Sequence, residues 1–518
     1  MSVLARARSL PIHPILVAVY PVVYLFAANA ATQVTLDPVW IPLALSVLIG
    51  AAAYVAAVLI IRDVVRGALL ASLFLALFYS FGHVWNVVGD ALIARRWLVA
   101  AYAIVGLVGA LLIRRGGRWL SAATRAVTIL AFIGIVVNLL SIGQFALGMS
   151  ARSEATTEAA EPVDPERADR RDIFYFIFDR FASAETLNRI YGYDLTPFLE
   201  ALRARGFYVA EDSWANYLKT PLSLMSSLDM DYLDATPFRA AASKPGDQAP
   251  MYTALRERRR VPATLKSLGY EYVHVGSFFE PSATNVDADR TLRYEEGGEF
   301  SSALWSTTLL SMLSPPTTGD DEDPPLVPAV QRQHTLYEFS VIDDATDRPG
   351  PTYVFAHFLV PHTPYVFDVD GSMPTDEERA VRTLDDQYIR QLTWATDRII
   401  EMIDTILAQP RDEEPIILIQ GDEGPFPDAY RVDELNFRWD RATPDQLQQK
   451  MGILNAYRLP DVDPEEAGLY PSISPVNSFR VIFNTYFGTD LPLLDDEVYI
   501  FDRQADLYDL HSIPRPGG

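Results

Sequence analysis

Asp179 closes the apolar run Ile173-Phe174-Tyr175-Phe176-Ile177-Phe178, and a second apolar run, Ile416-Ile417-Leu418-Ile419, leads into Gln420-Gly421-Asp422-Glu423-Gly424. In open α/β sheets ligands occupy the crevice beyond the carboxyl ends of the strands, so acidic residues at those ends read as a cation site facing a pocket. Two such ends this far apart in sequence meet only if their strands are sheet neighbours. Taken singly, each Asp can instead be a cap for the loop or helix that follows. Taken together, with the residues between them, they favour a site.

Between them lies Asn216-Tyr217-Leu218-Lys219-Thr220-Pro221-Leu222-Ser223-Leu224, in which a hydroxyl directly precedes a proline that can open a helix. The spacing predicts a helix over 220–228 with Thr220 as its N-cap, at the positive end of the helix dipole, where an anion is stabilised. Capping alone is the competing role for Thr220. Lys219 beside it supports the anion reading, because a neighbouring cation lowers the pKa of a hydroxyl and can hold a phosphate. His357 is the polar exception in Thr352-Tyr353-Val354-Phe355-Ala356-His357-Phe358-Leu359. A histidine so placed is usually a satisfied core residue, with a substrate contact as the alternative. His274, in Tyr270-Glu271-Tyr272-Val273-His274, has less claim to a role.

These residues need a scaffold that brings strand ends together. From residue 173 the pattern alternates β-rich and helical runs: strands at 173–178, 207–210, 270–275, 352–359 and 415–420, helices at 184–204, 220–228, 261–268 and a long one at 376–408. Such alternation predicts βαβ units and a mainly parallel sheet. A strand apolar on both faces, as at 352–359, is one covered by helices on each side. Residues 314–328, rich in Pro and Asp, read as a surface excursion. There is no internal repeat, GxxxxGK[ST] loop or GxGxxG signature.

The chain has 518 residues and a net charge of −24, unevenly spread. Residues 1–150 carry ten Arg, no Lys and only Asp37, Asp63 and Asp90, whereas the remainder is strongly acidic. The first part holds five apolar stretches, about 13–30, 39–61, 67–88, 97–113 and 126–148, near the roughly 20 residues that cross a hydrocarbon core. Arg6, Arg8, Arg62, Arg66, Arg114, Arg115, Arg118 and Arg125 fall on one side if every stretch crosses, against Arg95 and Arg96 on the other. This predicts five spans over 1–148 with a cytoplasmic N-terminus, a tether at 149–171 and an extracytoplasmic α/β domain over 172–518. An outward acidic domain argues against nucleic acid, whose phosphates it would repel. With no cysteine in the chain, thiolate ligands and nucleophiles are excluded.

The order of Asp179 after the first strand, Thr220 at a helix start, the late His362-Thr363-Pro364-Tyr365 and Asp422 after a near-terminal strand resembles the alkaline phosphatase and sulfatase superfamily. Spans ahead of such a domain resemble the lipoteichoic acid synthases and, more loosely, the phosphoethanolamine transferases. The resemblance extends over about residues 172–490 and, with the spans, most of the chain; the order and spacing carry it, since no single motif is specific. It implies a sulfatase-like fold, a divalent metal held by Asp179, Thr220 and Asp422, and Thr220 as attacking group. Glu423 stands where the family usually has the histidine of Asp-His-Gly, and His362 would meet the transferred group or the leaving oxygen.

Two departures sharpen the expectation. The Cys-or-Ser-x-Pro-x-Arg pattern of formylglycine-dependent sulfatases is missing, since Thr220 precedes Pro221 directly and Leu224 stands four residues on. Glu423 in place of histidine makes the ligand set all oxygen, which suits Mn²⁺ or Mg²⁺ first, with Ca²⁺ and Zn²⁺ as alternatives. The resulting expectation is transfer of a phosphoryl or substituted-phosphoryl group through a covalent Thr220 intermediate. Lys219 and Asn216 would hold its oxygens, His357 would contact substrate, and His362 would protonate the departing alkoxide. The donor would be a membrane lipid and the acceptor an envelope glycan or glycolipid. A phosphatase or sulfuric-ester hydrolase with the same nucleophile, and a catalytically silent envelope-binding scaffold, are the alternatives.

Overall fold

The computed structural model describes residues 11–29, 37–88, 92–155, 161, 163, 168–294, 299–313, 328–346 and 350–515. It divides into two compact units, one of residues 1–150 and 297–327, the other of 151–296 and 328–518.

The first unit contains the helices α1 (His13–Ala28), α2 (Asp37–Ile61), α3 (Val64–Val88), α4 (Leu92–Arg115) and α5 (Trp119–Ala155). Apolar side chains point outward from them, among them Leu59, Ile60, Leu107 and Leu130, which water would not tolerate in such density and lipid would. Four of these helices contain stretches long and apolar enough to cross a membrane, Val39–Ile61, Val64–Trp85, Arg96–Arg115 and Trp119–Gln144. α1 is shorter, 16 residues, or about 24 Å at the usual helical rise against a hydrocarbon thickness of about 30 Å. The α2–α3 and α4–α5 connections are tied together by Arg66, which pairs with Asp63 at 3.0 Å and donates to the Gly116 carbonyl at 3.2 Å. α5 runs on to Ala155, and most of 156–167, within the expected tether, lies outside the described residues. The 314–328 excursion, Pro328 excepted, lies outside them as well.

The second unit is built on a seven-stranded sheet, β1 (Ile173–Phe178), β2 (Tyr208–Val209), β3 (Glu271–Gly276), β4 (Arg290–Arg293), β5 (Thr352–Phe358), β6 (Ile416–Gln420) and β7 (Asn455–Arg458), in the order β2-β7-β6-β1-β5-β3-β4. β1 lies between β5 and β6, parallel to both, and only β7 runs against its neighbours. This is the mainly parallel sheet the alternation predicts. β1 is buried on both faces, as its unbroken β-branched and aromatic sequence requires. One apolar core lies on each face, one containing Tyr175, Ile177 and Phe355, the other Phe174, Phe176 and Val354. A small hairpin-like pair, β8 (Val498–Ile500) and β9 (His511–Ile513), stands apart.

Three helical expectations change in detail, and the first is 184–204, which is two helices, Ala184–Tyr191 and Thr196–Arg203. The 376–408 segment is two helices, Asp376–Val381 and Leu384–Ala408, because Thr383 turns extended and accepts the Asp386 N–H to start the second. The 220–228 helix forms as Thr220–Asp229, but its N-cap is Lys219, in an extended conformation, and Thr220 is the first helical residue. The Thr220 hydroxyl is therefore not used as a cap.

Candidate functional site

Strand parity explains why the polar groups meet. In the parallel register Ile177 aligns with His357 on one side and with Gln420 on the other. Side chains two apart share a face of a strand, so 173, 175 and 177 of β1, 353, 355 and 357 of β5, and 416, 418 and 420 of β6 point the same way. That face is covered by the 220–229 helix, whose Leu222, Leu224, Met225 and Leu228 join its core. Asp179 and Asp422 follow the same parity just past the strand ends. The strand order thus delivers Asp179, His357 and Asp422 beneath the start of the helix that begins at Thr220.

All three are buried, and one ligand atom from each lies within 4.8 Å of the others. His357 Nε2 is 3.7 Å from Asp179 Oδ2 and 4.0 Å from Asp422 Oδ2. Its Nδ1 is 2.8 Å from the Ser282 hydroxyl, which in turn donates to the Phe279 carbonyl. With the imidazole proton on Nδ1, toward Ser282, the Nε2 lone pair faces the carboxylates, as in a metal-ligating histidine. The Thr220 hydroxyl lies beside the Asp422 carboxylate and helps hold it in its charged form, and Asp422 Oδ1 accepts the Arg180 N–H at 3.3 Å. Ser223, one turn on, spends its hydroxyl on the Tyr217 carbonyl at 3.1 Å.

The electrostatics call for a cation. Burial, and then the charge of Asp422, raise the Asp179 carboxyl well above its ordinary value. Burial also raises Asp422, opposed by the Thr220 hydroxyl. Burial lowers His357 to about 3, so a neutral imidazole cannot offset the two carboxylates. Asp179 Oδ1, Asp422 Oδ2 and His357 Nε2 are buried without a hydrogen-bond partner, which is costly unless an ion satisfies them. This donor set fits a divalent metal, with Thr220 Oγ beside it.

Glu423 has a different partner from the one expected of a metal ligand. Its Oε1 is 2.6 Å from Lys450 Nζ and 4.0 Å from Arg180 Nε. Burial raises the Glu423 carboxyl against the pull of Lys450 and lowers Lys450 to about 8 against the pull of Glu423. The group that could hold a metal includes one nitrogen, His357 Nε2 on β5, beside the two aspartate carboxylates. Gly421 and Gly424 make this loop possible: a Cβ at Gly421 would lie 2.6 Å from the Phe181 carbonyl oxygen, and one at Gly424 2.1 Å from that of Gln449.

Three cations gather around the Phe426 ring: Lys450 Nζ at 3.4 Å, the Arg180 guanidinium at 4.5 Å and Lys219 Nζ at 5.5 Å from its centroid. Lys219 also donates to the Tyr430 hydroxyl at 3.2 Å. Arg180 is held in a left-handed backbone conformation, φ 64°, a costly one for a side chain with a Cβ and common at functional sites. Its carbonyl accepts the Tyr388 hydroxyl at 2.9 Å. Neither Arg180 nor Lys450 was expected from sequence. Arg180 had a usable signal, its position directly after Asp179; Lys450 had none, since only the fold brings the 444–451 helix to the GDEG loop.

Asn216 is engaged elsewhere. Its amide donates to Ser474 Oγ at 3.1 Å and the Glu497 carbonyl at 2.9 Å and accepts the Val476 N–H at 3.1 Å. His362 is largely buried in the loop after β5, its carbonyl accepting from Gln391 at 2.7 Å and its Nδ1 against the Thr363 carbonyl. His274 is a satisfied core residue, bonded to Tyr272 and to the Ser282 carbonyl.

No protein-family model and no curated sequence matches the chain. Among solved structures it is similar to the C-terminal periplasmic domain of EcEptC from Escherichia coli in complex with Zn, at 11% identity and a TM-score of 0.42, covering 66% of this chain and 93% of that one. It is similar to the lipoteichoic acid synthase LtaP from Listeria monocytogenes, at 13% identity and a TM-score of 0.39, over 64% of this chain and 78% of that one. It is also similar to the integral membrane lipooligosaccharide phosphoethanolamine transferase A (EptA) from Neisseria meningitidis, at 13% identity and a TM-score of 0.38, over 92% and 95% of the two chains.

Proposed function

We propose that this chain is a membrane-anchored, metal-dependent transferase that moves a phosphoryl or substituted-phosphoryl group from a lipid headgroup to an envelope glycan or glycolipid, with Thr220 as nucleophile. The observation that carries the reading is the buried Asp179–His357–Asp422 group, with the Thr220 hydroxyl, which caps no helix, beside Asp422. Asp179, His357 and Asp422 would hold one divalent cation, which when bound withdraws charge from the hydroxyl and from the non-bridging oxygens of the substrate. One imidazole beside carboxylates moves the preference from Mg²⁺ toward Zn²⁺ or Mn²⁺.

In the first step Thr220 Oγ passes its proton to Asp422 and bonds to phosphorus as the bond from phosphorus to the lipid glycerol oxygen breaks. His362 gives that oxygen a proton. In the second step the acceptor hydroxyl attacks phosphorus, returns a proton to His362, and Thr220 leaves with the proton from Asp422. Lys219 and Arg180 hold the phosphoryl oxygens. Five spans and an outward domain would present the site to headgroups at the bilayer surface. Full-length protein in vesicles of phosphatidylethanolamine and phosphatidylglycerol should release diacylglycerol only when a divalent cation is present; release unaffected by thorough chelation contradicts the reading.

A further inference from the structure

The structure points to a second, non-catalytic feature: we propose that residues 299–313, inserted in the sequence of the extracytoplasmic domain, form a bilayer-contacting element that rests on the outer ends of α1–α3 and presents Trp305 to the phospholipid headgroup layer. The proposal does not depend on the chemistry at Thr220.

Composition sets the segment apart. Glu-Phe-Ser-Ser-Ala-Leu-Trp-Ser-Thr-Thr-Leu-Leu-Ser-Met-Leu has Glu299 as its one ionisable residue. It folds as a helix, Glu299–Thr307, and a 3-10 turn, Leu309–Leu313, inside the same compact unit as the apolar helices. Phe300 and Leu304 are buried in one cluster with Phe26, Val39, Phe78 and Tyr79, and the Phe300 ring meets Phe26 edge-on at 5.9 Å. The approach to α3 is backbone to backbone: a Cβ on Gly82 would lie 1.9 Å from the Ser306 carbonyl oxygen and 2.7 Å from Thr307 Cα. Small residues permit this kind of contact between helices in lipid.

Three hydroxyls of the segment are satisfied internally. The hydroxyls of Ser306, Thr307 and Thr308 each donate to the carbonyl three residues back, at 2.7, 2.8 and 2.8 Å. That arrangement suits a segment where water is scarce. Trp305, directly before these residues and 38% exposed, is the side chain type that settles at the level of lipid headgroups.

The contacts also orient the helices. Phe26 lies near the end of α1, Val39 near the start of α2 and Gly82 toward the end of α3, so one end of the bundle receives the segment. Arg62, Arg66, Arg114, Arg115 and Arg118 lie at the other. Arginine-rich ends face the cytoplasm, which puts the segment outside.

The chain has no cysteine, so introduced ones report alone. In full-length protein in phosphatidylglycerol–phosphatidylethanolamine vesicles, a bimane on Trp305→Cys should be quenched several-fold more by headgroup-level spin-labelled lipid than one on Val432→Cys, an exposed position of the domain. A Phe26→Cys/Phe300→Cys pair should form a disulfide on mild oxidation. Disulfide without quenching overturns the lipid contact, quenching without disulfide overturns the seating on the helices, and loss of both overturns the whole proposal. If the double variant fails to insert, the Trp305 comparison decides alone.

Discussion

His357 Nε2 stands 3.7 Å from Asp179 Oδ2, while Glu423, the neighbour of Asp422 in the chain, holds Lys450 at 2.6 Å. On the proposed reading the nitrogen that meets the metal comes from β5. His357→Ala should lose bound metal and activity together, whereas Glu423→Gln should keep its metal stoichiometry. Elemental analysis of the two purified variants checks this, and the reverse pattern would restore Glu423 as a ligand in place of His357.

Ser282 fixes the imidazole from behind, at 2.8 Å from Nδ1. Ser282→Ala should reduce metal affinity or activity by about 10- to 100-fold, the usual consequence of removing a partner of a ligating histidine. Competition against a chelator measures it; affinity equal to that of the native protein would mean the ring is positioned by packing alone.

Metal should reverse a pH-dependent weakness. Asp179, Asp422 and Glu423 are all raised, chiefly by burial. A carboxyl with a raised folded pKa lends stability that is complete below its unfolded pKa, about 4, and is lost as pH rises through the folded value. The metal-free protein should therefore melt at progressively lower temperature as pH rises above about 4, less steeply in Asp179→Asn. Metal at 100 times its Kd should add about 2.7 kcal/mol. A melting curve insensitive to metal at neutral pH would contradict the cation site.

Asn216 should behave as a structural residue. Asn216→Ala strands the Val476 N–H and the Glu497 carbonyl, at about 1–3 kcal/mol for a buried unsatisfied group. Thermal melting should drop while the KM of the remaining folded enzyme stays at its native value; an unchanged melting temperature with a raised KM would return Asn216 to the substrate.

The sheet was readable because its central strands are unbroken apolar runs, and the pairing of Asp179 with Asp422 followed from their places at two such strand ends. The antiparallel β7 was not, since Asn455-Ala456-Tyr457-Arg458 is short and half polar and is stabilised by its partners more than by its own composition. His357 was noticed but given another role, because its closeness to Asp179 depends on which strand lies beside β1, and that is a long-range fact. Lys450 and Glu423 show the same limit: the loop sequence places a carboxylate beside Asp422, and only tertiary packing decides that Lys450 pairs with it.

The central claim is that Thr220 becomes covalently modified. Full-length protein should be incubated with metal and phosphatidylethanolamine or phosphatidylglycerol, quenched in acid and digested, and the peptide containing Thr220 weighed by mass spectrometry. The account predicts a phosphoryl or headgroup-phosphoryl adduct localised to Thr220, present in the native protein and in Ser223→Ala and absent from Thr220→Ala, which should still fold because that hydroxyl caps nothing. An adduct on Ser223, or metal- and lipid-dependent turnover that persists in Thr220→Ala, would contradict it.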